Sequence, residues 1–424
     1  MFIKHLKVSN FKSFKDIDIE LGDFNVVIGA NASGKSNFAR IFEFLKDITA
    51  KDLENAISKQ GNVDYFTNIN LNSNDLFKLE IAFNYLNPKS IPVHNVDNLS
   101  ITLKNANNSF EIKFDKINNT YEVLNDKLIQ ECEIKTREDS NISLNNAHIN
   151  NITFEAINSN GILKLKPFDI SEDSKCYLDY ITNTIENFPI AIGENNIIIE
   201  KSEFVYPLPS YSIDHKLHPF ANIGIYDIDP RIAKNAKKDG VVDLESDGNN
   251  IALALDKILK DKESNRKLHN LVRSILPFAE KFELNRDNYG QLMLNLKETY
   301  FKDLLPAYLL SDGTIYLTAL IIVLHFEKKP LIIIEEPERN IHPHLISKLV
   351  SLMKDASNNK QIVITTHNPE IVKYINQQNL LLVSRDKDGF SKIERPTEKE
   401  TVKTFLKNDL GIDQLYINNI LELH

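Results

Sequence analysis

The spacing of apolar residues predicts a strand, a turn and a helix near the start of the chain. In residues 17–21, IDIEL, apolar and acidic residues alternate with the two-residue period of a half-buried strand. Residues 24–28, FNVVI, are mostly apolar and predict a buried strand. After residue 35 the apolar residues recur with the period of a helix, at Phe38, Ile41, Phe42 and Leu45.

The rest of the chain changes character twice. From Phe77 to about Leu165, short β-type runs are separated by asparagine-rich turns. From about Asp169 to Lys297 the pattern is mixed, with helical spacing in NNIALALDKILKD and NRKLHNLVRSILPF. From Leu309 onward short apolar strands alternate with helices, which is typical of an α/β domain with a parallel sheet.

These patterns predict an α/β fold in three parts. The expected parts are an N-terminal lobe over residues 1–168, a mixed and partly helical insertion over 169–300, and a C-terminal lobe over 301–424. A parallel sheet forms the core of this arrangement, and an antiparallel β subdomain completes the first lobe. With 424 residues, 42% of them hydrophobic, the chain is long enough for two or three such cores.

Charge and cysteine content exclude several classes of protein. Lys and Arg total 50 against 59 Asp and Glu, so a net charge of −9 provides no overall attraction to nucleic acid or anionic lipid. Cys132 and Cys176 lie far apart without ligand-like neighbours, which argues against disulfides and zinc. The N-terminus lacks a signal-peptide core, and the longest apolar run, at 316–326, is shorter than the roughly 20 residues of a membrane span. We therefore expect a cytoplasmic protein that has no membrane partner.

The turn after the buried strand carries a phosphate-binding pattern. In residues 29–37, GANASGKSN, the residues Gly29, Gly34, Lys35 and Ser36 fill every fixed position of G-x-x-x-x-G-K-[ST]. Glycines let backbone N–H groups turn towards phosphates, and the positive end of the following helix adds to the attraction. Lys35 supplies a point charge, and the Ser36 hydroxyl can ligate Mg²⁺. The alternative is a loop that only turns the chain.

A second apolar strand, at residues 331–334, ends in Glu335 and Glu336. A site that hydrolyses a nucleotide needs carboxylates to hold Mg²⁺ and to activate water. Parallel sheets bind ligands beyond the carboxyl ends of their strands. We therefore expect Glu335 to approach Mg²⁺ through water and Glu336 to polarise the attacking water. Taken alone, the pair would indicate only a strand that ends in solvated acids.

Two further segments contribute polar residues at the ends of predicted elements. Ser311, Asp312 and Gly313 begin a strongly apolar helix, where serine is a favoured N-cap and exposed N–H groups bind anions. The apolar strand Ile362–Ile364 leads into His367, and one helix fits between this strand and Glu336. That position suits a histidine that touches the γ-phosphate, although a histidine at a strand end is more often only a hydrogen-bonding residue.

Four motifs follow one another along the chain: VSNFKSFKDIDIEL with the phosphate loop, LSDGT, IIIEEPERNIHP and TTHNPEIV. They resemble the opening strands, the signature, the Walker B motif with its D-loop, and the His switch of ABC-type ATPases of the RecF, SMC and OLD (overcoming lysogenisation defect) kind. The stand-alone OLD-like ATPases are the most similar. Weaker similarity, to the family's linker, lies in YDIDP at 226–230 and SDGNNIALAL at 246–255.

The resemblance implies an ABC-type P-loop ATPase head that dimerises around two ATP molecules. Each site would combine the Walker motifs of one chain with the signature of the other, so that Ser311 and Gly313 act in trans. In one head the phosphate loop and the signature are expected in different lobes. The residues expected to bind the nucleotide are Gly29, Asn31, Ser33, Gly34, Lys35, Ser36, Asn37, Ser311 and Gly313.

Catalytic roles are expected for Glu335, Glu336 and His367, with ATP and Mg²⁺ as cofactors. The expected Mg²⁺ ligands are Ser36, Glu335 and Gln60. Gln60 is the counterpart of the Q-loop glutamine or simply an exposed polar residue, and Lys12 stands where relatives often carry a basic residue near the nucleotide.

Two positions depart from the family pattern. Glu335 replaces the aspartate of many ABC ATPases, which puts the way in which the metal is held in doubt. Asp312 replaces a glycine of the transporter signature. Because a carboxylate repels a triphosphate, we expect Asp312 to point away or to cap the helix.

Several functions are compatible with an ATPase head. The SDGT signature and the β-rich insertion differ from a transport motor, the long heptads of an SMC protein are absent, and too few residues follow His367 for a TOPRIM nuclease domain. The predicted function is an ATP-hydrolysing switch, a homodimer or higher oligomer, that controls a separately encoded effector in defence against phage or foreign DNA. The alternative is a RecF-like DNA-repair ATPase that binds DNA directly.

Overall fold

The computed structural model describes most of the 424-residue chain. The described residues are 1–69, 76–85, 90–92, 99–136, 148–159, 161–170, 190–191, 193, 195–200, 220–237 and 240–396. They form two compact units, the first from residues 1–22, 37–223 and 385–393 and the second from residues 23–36, 224–384 and 394–424. Cys132 is a buried free thiol, whereas Cys176 lies outside the described residues.

An antiparallel sheet forms most of the first unit, as the alternation predicts. In Phe77–Asn84 every second residue is buried, so one face of this strand covers the core. The strands lie side by side in the order Ile190–Ala191, Ile162–Ile170, His148–Ser159, Thr120–Thr136, Leu99–Asp115, Phe77–Asn84, Phe2–Phe11, Phe14–Glu20 and Ser391–Glu394, with Ser90–Pro92 paired to Leu99–Asp115. Only the last neighbouring pair in this order is parallel.

Aromatic side chains fill the core of the first unit beside its helices. The stripe predicted from Phe38, Ile41, Phe42 and Leu45 is confirmed, because all four side chains are buried. The ring of Phe66 lies edge-on to two further phenylalanine rings with centroid distances of 4.9 Å. The helical elements are Lys35–Ala50, which begins in the second unit, Leu53–Lys59, Asn62–Phe66 and the 3₁₀ turn Ile198–Glu200.

A parallel sheet lies at the centre of the second unit. Gln361–Thr366 pairs in parallel with Phe24–Ile28 on one side and with Leu331–Glu335 on the other. Leu380–Arg385 pairs in parallel with Phe24–Ile28, and Ile223–Tyr226 is the strand at the far edge. All five residues of Phe24–Ile28 are buried, as expected for a strand in the middle of a parallel sheet. The parallel-sheet core of the predicted α/β fold is thereby confirmed.

Helices and a small second sheet complete this unit. The helices share one apolar core with the parallel strands, and Asp312–His325 is buried over most of its length. None of the helices in the described residues is long and apolar enough to cross a membrane. The elements are the helices Pro230–Ala233, Ile251–Lys260, Lys262–Ile275, Asp312–His325, Ile346–Ser357 and Pro369–Val372, the antiparallel strands Ala279–Arg286, Leu292–Glu298 and Leu304–Pro306, and the 3₁₀ turns Ala307–Leu309, Pro343–Leu345 and Gln377–Asn379.

The phosphate loop and the signature belong to the same unit. Residues 23–36 group with residues 224–384, which differs from the expectation that loop and signature lie in different lobes. The physical reason is strand pairing, because Phe24–Ile28 is hydrogen-bonded to Gln361–Thr366 and fixes the loop to the sheet of the C-terminal part. The boundaries predicted near residues 168 and 300 stay a prediction.

Candidate functional site

The phosphate loop has a shape that requires glycine at two positions. It connects the buried strand Phe24–Ile28 to the helix that begins at Lys35. A Cβ atom on Gly29 would lie 2.2 Å from the carbonyl oxygen of Val383, which no side chain tolerates. Gly34 has a φ of 124°, in the region that favours glycine. The two fixed glycines of the sequence pattern are therefore explained by close packing and by backbone conformation.

The ammonium group of Lys35 lies over this loop. It donates hydrogen bonds to the carbonyl oxygens of Gly29 and Ala30, over 2.9 and 2.8 Å. A lysine carries three N–H donors, so these two bonds leave one for a phosphate oxygen. Burial lowers the pKa of Lys35, and the nearby carboxylates of Glu336 and Glu338 oppose that shift. The loop thus presents a buried cation of the kind that holds a phosphate.

Ser36 and Glu335 meet beside the loop although they are distant in the sequence. The Ser36 hydroxyl donates to Oε2 of Glu335 over 2.9 Å. The strand that ends at Glu335 is parallel to Gln361–Thr366, which is parallel to the strand before the loop, so their carboxyl ends share one edge of the sheet. The role at Mg²⁺ that the sequence pattern suggests for both residues stays a prediction.

This donor set fits a magnesium ion. A hydroxyl and a carboxylate are oxygen ligands, and Mg²⁺ typically takes one or two protein ligands, several waters and substrate phosphates. The described residues contain no cluster of three or more His, Cys, Asp or Glu side chains arranged for a metal. One hydroxyl and one carboxylate would leave the other ligand positions of the ion to waters and to substrate phosphates.

The backbone of Glu336 adopts an unusual conformation. Its φ is 46°, in the left-handed region that non-glycine residues rarely adopt. Hydrogen bonds fix this conformation on both sides: the N–H of Glu336 donates to the carbonyl of Thr365 over 2.8 Å, and its carbonyl accepts from the Tyr316 hydroxyl over 2.9 Å. Such strained residues cluster at functional sites when their surroundings hold them in place.

The carboxylate of Glu336 is held by two side chains. His367 Nδ1 lies 2.9 Å from Oε1, and Arg339 donates to Oε2 over 3.2 Å. Burial by itself raises the pKa of Glu336, but the hydrogen bonds from Arg339 and His367 outweigh it and keep the pKa below its ordinary value. Glu336 is therefore ionised near neutral pH, as an acceptor of protons must be.

His367 and Glu338 lie near the end of the neighbouring strand. His367 follows Gln361–Thr366, so the sequence placed it at the correct sheet edge. Glu338 is buried and accepts a hydrogen bond from the Thr366 hydroxyl over 2.6 Å through Oε1, and its Oε2 atom has no hydrogen-bond partner in the part of the chain that the structure describes. Burial raises the pKa of Glu338 above its ordinary value, and the hydrogen bond from Thr366 opposes that shift. Glu338 supports the strand end from which His367 projects.

The signature residues cap and pack the helix that they begin. Ser311 is the N-cap, and its hydroxyl accepts from the N–H of Thr314 over 3.1 Å. A Cβ atom on Gly313 would lie 2.7 Å from the carbonyl oxygen of Asn340, which explains the glycine. Asp312 does not cap the helix; it pairs with Lys234 over 2.5 Å, so its negative charge is compensated. Lys234 lies just beyond YDIDP, the linker-like segment.

Gln60, Lys12 and Asn37 belong to the first unit. Gln60 is buried, not exposed, and its backbone carbonyl accepts a hydrogen bond from the Lys12 ammonium. Burial lowers the pKa of Lys12 to about 8. Asn37 donates to the Ser13 hydroxyl over 2.8 Å. A contact of Gln60 or Asn37 with metal or nucleotide stays a prediction, as it does for Asn31 and Ser33 in the loop.

Four residues lie in or near the site although no pattern in the sequence predicts a role for them: Asp227, Tyr316, Glu338 and Arg339. Glu338 and Arg339 stand inside the string EEPERNIHP, and Asp227 stands in YDIDP. Their positions in these two strings could have indicated a functional role. Nothing in the sequence indicates such a role for Tyr316, because a tyrosine in an apolar helix is ordinarily a core residue.

Comparison with known proteins supports a nucleotide-binding fold. The family model described as "AAA domain, putative AbiEii toxin, Type IV TA system" matches residues 24–142 and 229–373, more than half of the chain. These segments contain the phosphate loop, Glu335, Glu336 and His367. No curated protein sequence matches the chain significantly.

Solved structures of SMC heads are also similar. A SmcHead bound to the C-winged helix domain of ScpA has 15% identity, covers 93% of this chain and 97% of that chain, and has a TM-score of 0.46. The SMC head domain from Thermotoga maritima has 13% identity, coverages of 93% and 99%, and a TM-score of 0.44. An Smc head domain with an extended coiled coil, bound to the C-terminal domain of ScpA derived from Pyrococcus furiosus, has 14% identity, coverages of 96% and 99%, and a TM-score of 0.43.

Proposed function

The chain belongs to the AAA domain family, and from this premise we propose that it is an ATPase that binds ATP with Mg²⁺ and works as a molecular switch. The observation that carries the proposal is the 2.9 Å hydrogen bond from the Ser36 hydroxyl to Glu335. It joins the last residue of the phosphate-loop motif to an acidic strand end, which is the arrangement that P-loop NTPases use for Mg²⁺.

Each polar group near the loop has one task in this proposal. Lys35 binds the β- and γ-phosphate oxygens, and Ser36 and Glu335 hold Mg²⁺. The bound ion supplies positive charge that offsets the charge of the phosphates. Glu336 accepts a proton from the attacking water, and His367, which contacts the Glu336 carboxylate at 2.9 Å, senses the γ-phosphate.

We propose that the active unit is a homodimer or a higher oligomer. In it Ser311 and Gly313 of one chain complete the nucleotide site of the other. The N-terminus of the helix Asp312–His325 is suited to an anion, because the positive end of the helix dipole attracts negative charge. The ion pair of Asp312 with Lys234 supports this role, since it compensates the one carboxylate that would repel a phosphate there.

The switch is proposed to act in the cytoplasm through a separately encoded effector in defence against phage or foreign DNA. The family description contains the words "putative AbiEii toxin, Type IV TA system", and this association with a toxin supports a role in defence. The second candidate is a RecF-like repair ATPase that binds DNA directly. The two candidates differ in whether duplex DNA stimulates hydrolysis and in whether DNA affinity falls steeply with salt.

Nucleotide titration by calorimetry tests the proposed site. Lys35→Ala removes the cation at the β and γ oxygens and should weaken ATP binding by on the order of a hundredfold, as expected for lost charged hydrogen bonds. Lys328→Ala, at an exposed lysine in the same unit, is the matched control and should bind ATP like the wild type. Unchanged affinity in Lys35→Ala would mean that the loop does not bind the phosphates.

A further inference from the structure

The guanidinium group of Arg339 bridges two carboxylates. One terminal nitrogen lies 2.7 Å from Oδ1 of Asp227, and the other lies 3.2 Å from Oε2 of Glu336. The planar group fixes the angle between its two donors, so a carboxylate held at one nitrogen determines where the other nitrogen points. Arg339 therefore transmits the position of Asp227 to the carboxylate of Glu336.

Asp227 is itself fixed by backbone hydrogen bonds. Its N–H donates to the carbonyl of Ser246 over 3.0 Å, and the N–H of Asp229 donates to the carbonyl of Asp247 over the same distance. The segment before the helix Pro230–Ala233 is thus tied to a second stretch of chain. Because its backbone is held in place, the side chain of Asp227 can anchor Arg339.

The bridge contributes little to the stability of the fold. The side chains of Arg339 and Asp227 are 40% and 59% exposed, and ion pairs so open to water contribute little to folding. The orientation of a reacting group has a large effect on rate, because small displacements from the productive geometry slow the reaction strongly. The consequence of the bridge is therefore expected in the orientation of Glu336.

We propose that Arg339 is a positioning residue for Glu336 and that Asp227 anchors it. Arg339 holds Oε2 while His367 contacts Oε1, so the carboxylate plane is set from both sides, and each oxygen keeps a lone pair that can accept the proton of a water. The inference rests on the proposed ATPase function, in which Glu336 accepts the proton. Arg339 touches neither substrate nor metal in this role and acts only through Glu336.

Steady-state kinetics and ATP titration of full-length variants test the inference. Arg339→Ala should lower kcat by about tenfold to a hundredfold, as misplaced catalytic groups do, with KM and Kd for ATP within twofold of the wild type. Arg339→Lys should recover part of kcat. Asp227→Asn should lower kcat in the same direction, and combining it with Arg339→Ala should cost no more than Arg339→Ala alone. Arg231→Ala, at an exposed arginine close to Asp227 in sequence, is the matched control.

The decisive measurement is made in a Glu336→Gln background. If Arg339 acts through the carboxylate, Arg339→Ala should not reduce the residual turnover of Glu336→Gln any further. A further loss of the same size would show that Arg339 acts elsewhere, for example on the phosphates or on a second chain, and would overturn the inference. An increased kcat in Arg339→Ala would overturn it as well, because the bridge would then restrain the base.

Two other results keep the inference separate from the proposed function. If the wild-type protein hydrolyses no ATP, the proposed function fails before Arg339 is tested. If the wild type is active but Arg339→Ala does not fold, the kcat of Asp227→Asn tests the inference instead. This variant removes one charge and preserves the shape of the side chain. A wild-type kcat in Asp227→Asn would then contradict the anchoring role.

Discussion

The hydroxyl group of Tyr316 donates a hydrogen bond to the backbone carbonyl of Glu336 over 2.9 Å. Tyr316 lies in the helix that Ser311 caps, and Glu336 follows the acidic strand Leu331–Glu335. This bond ties the signature helix to the residue that we propose as the base. Since the φ of Glu336 is 46°, the bond also helps to hold a conformation that is unfavourable by itself.

We predict that Tyr316→Phe weakens both stability and turnover. The lost hydrogen bond should reduce the free energy of unfolding by about 0.5–1.5 kcal/mol, and a less fixed Glu336 should lower kcat several-fold without changing ATP affinity. Urea unfolding and steady-state kinetics measure the two effects. Tyr308→Phe, at a tyrosine that is 71% exposed, is the control. Wild-type values for both quantities would mean that the bond neither stabilises the fold nor positions Glu336.

A second prediction concerns the carboxylate of Glu336. Glu336→Gln keeps the size of the side chain but cannot accept the proton, so hydrolysis should slow by on the order of 10² to 10⁴ while ATP and Mg²⁺ still bind. Phosphate release and calorimetry measure the two properties. Glu370→Gln, at another glutamate of the same unit, should leave both unchanged. Wild-type turnover in Glu336→Gln would remove Glu336 from the mechanism.

The sequence predicted those parts of the site that depend on local pattern. The phosphate loop is continuous in sequence, and Glu335, Glu336 and His367 each follow an apolar strand, so their arrival at one sheet edge follows from parallel pairing. The Arg339–Asp227 bridge joins residues that are far apart in the chain, and two exposed charges have many possible partners. The positive φ of Glu336 could not be predicted from the sequence either, because tertiary hydrogen bonds impose a backbone conformation that glutamate rarely adopts.

Asp126 leads to a prediction about pH. It is buried in the first unit, and burial raises its pKa to about 7, although the N–H of Ile198 donates to it over 2.6 Å. The unfolded chain has the ordinary aspartate pKa of about 3.9, so the folded state binds this proton more tightly. This contribution to stability is complete below about pH 4 and is lost as the pH rises towards 7.

Replacing Asp126 with asparagine should remove that dependence. Relative to the wild type, Asp126→Asn should gain free energy of unfolding between pH 5 and 7, by at most about 1.4 kcal/mol per pH unit. Urea unfolding at a series of pH values measures the difference. Asp388→Asn, at an exposed aspartate of the same unit, should show no such gain. A difference between Asp126→Asn and the wild type that stays constant with pH would show that Asp126 ionises normally in the folded protein.

The last prediction concerns the proposed dimer. Within the described residues the Ser311 hydroxyl has Thr314 as its hydrogen-bond partner, and the Lys35 ammonium is bonded to its own loop. If each site takes Lys35 from one chain and Ser311 from the other, Lys35→Ala and Ser311→Arg should each be inactive as homodimers. In a mixed dimer one interface carries both changes and the other carries neither, so one intact site should form.

Crosslinking in the presence of ATP and turnover of the mixture should be measured side by side. If the signature acts in trans, the mixture should recover both crosslinking and turnover. If the two sites must hydrolyse ATP together, it should recover crosslinking alone. The arginine of Ser311→Arg places a long side chain at the helix N-terminus, where it blocks the approach of a phosphate to the N–H groups. If Ser311→Arg hydrolyses ATP at the wild-type rate as a monomer, neither the trans-acting signature nor the ABC-type mechanism applies to this chain.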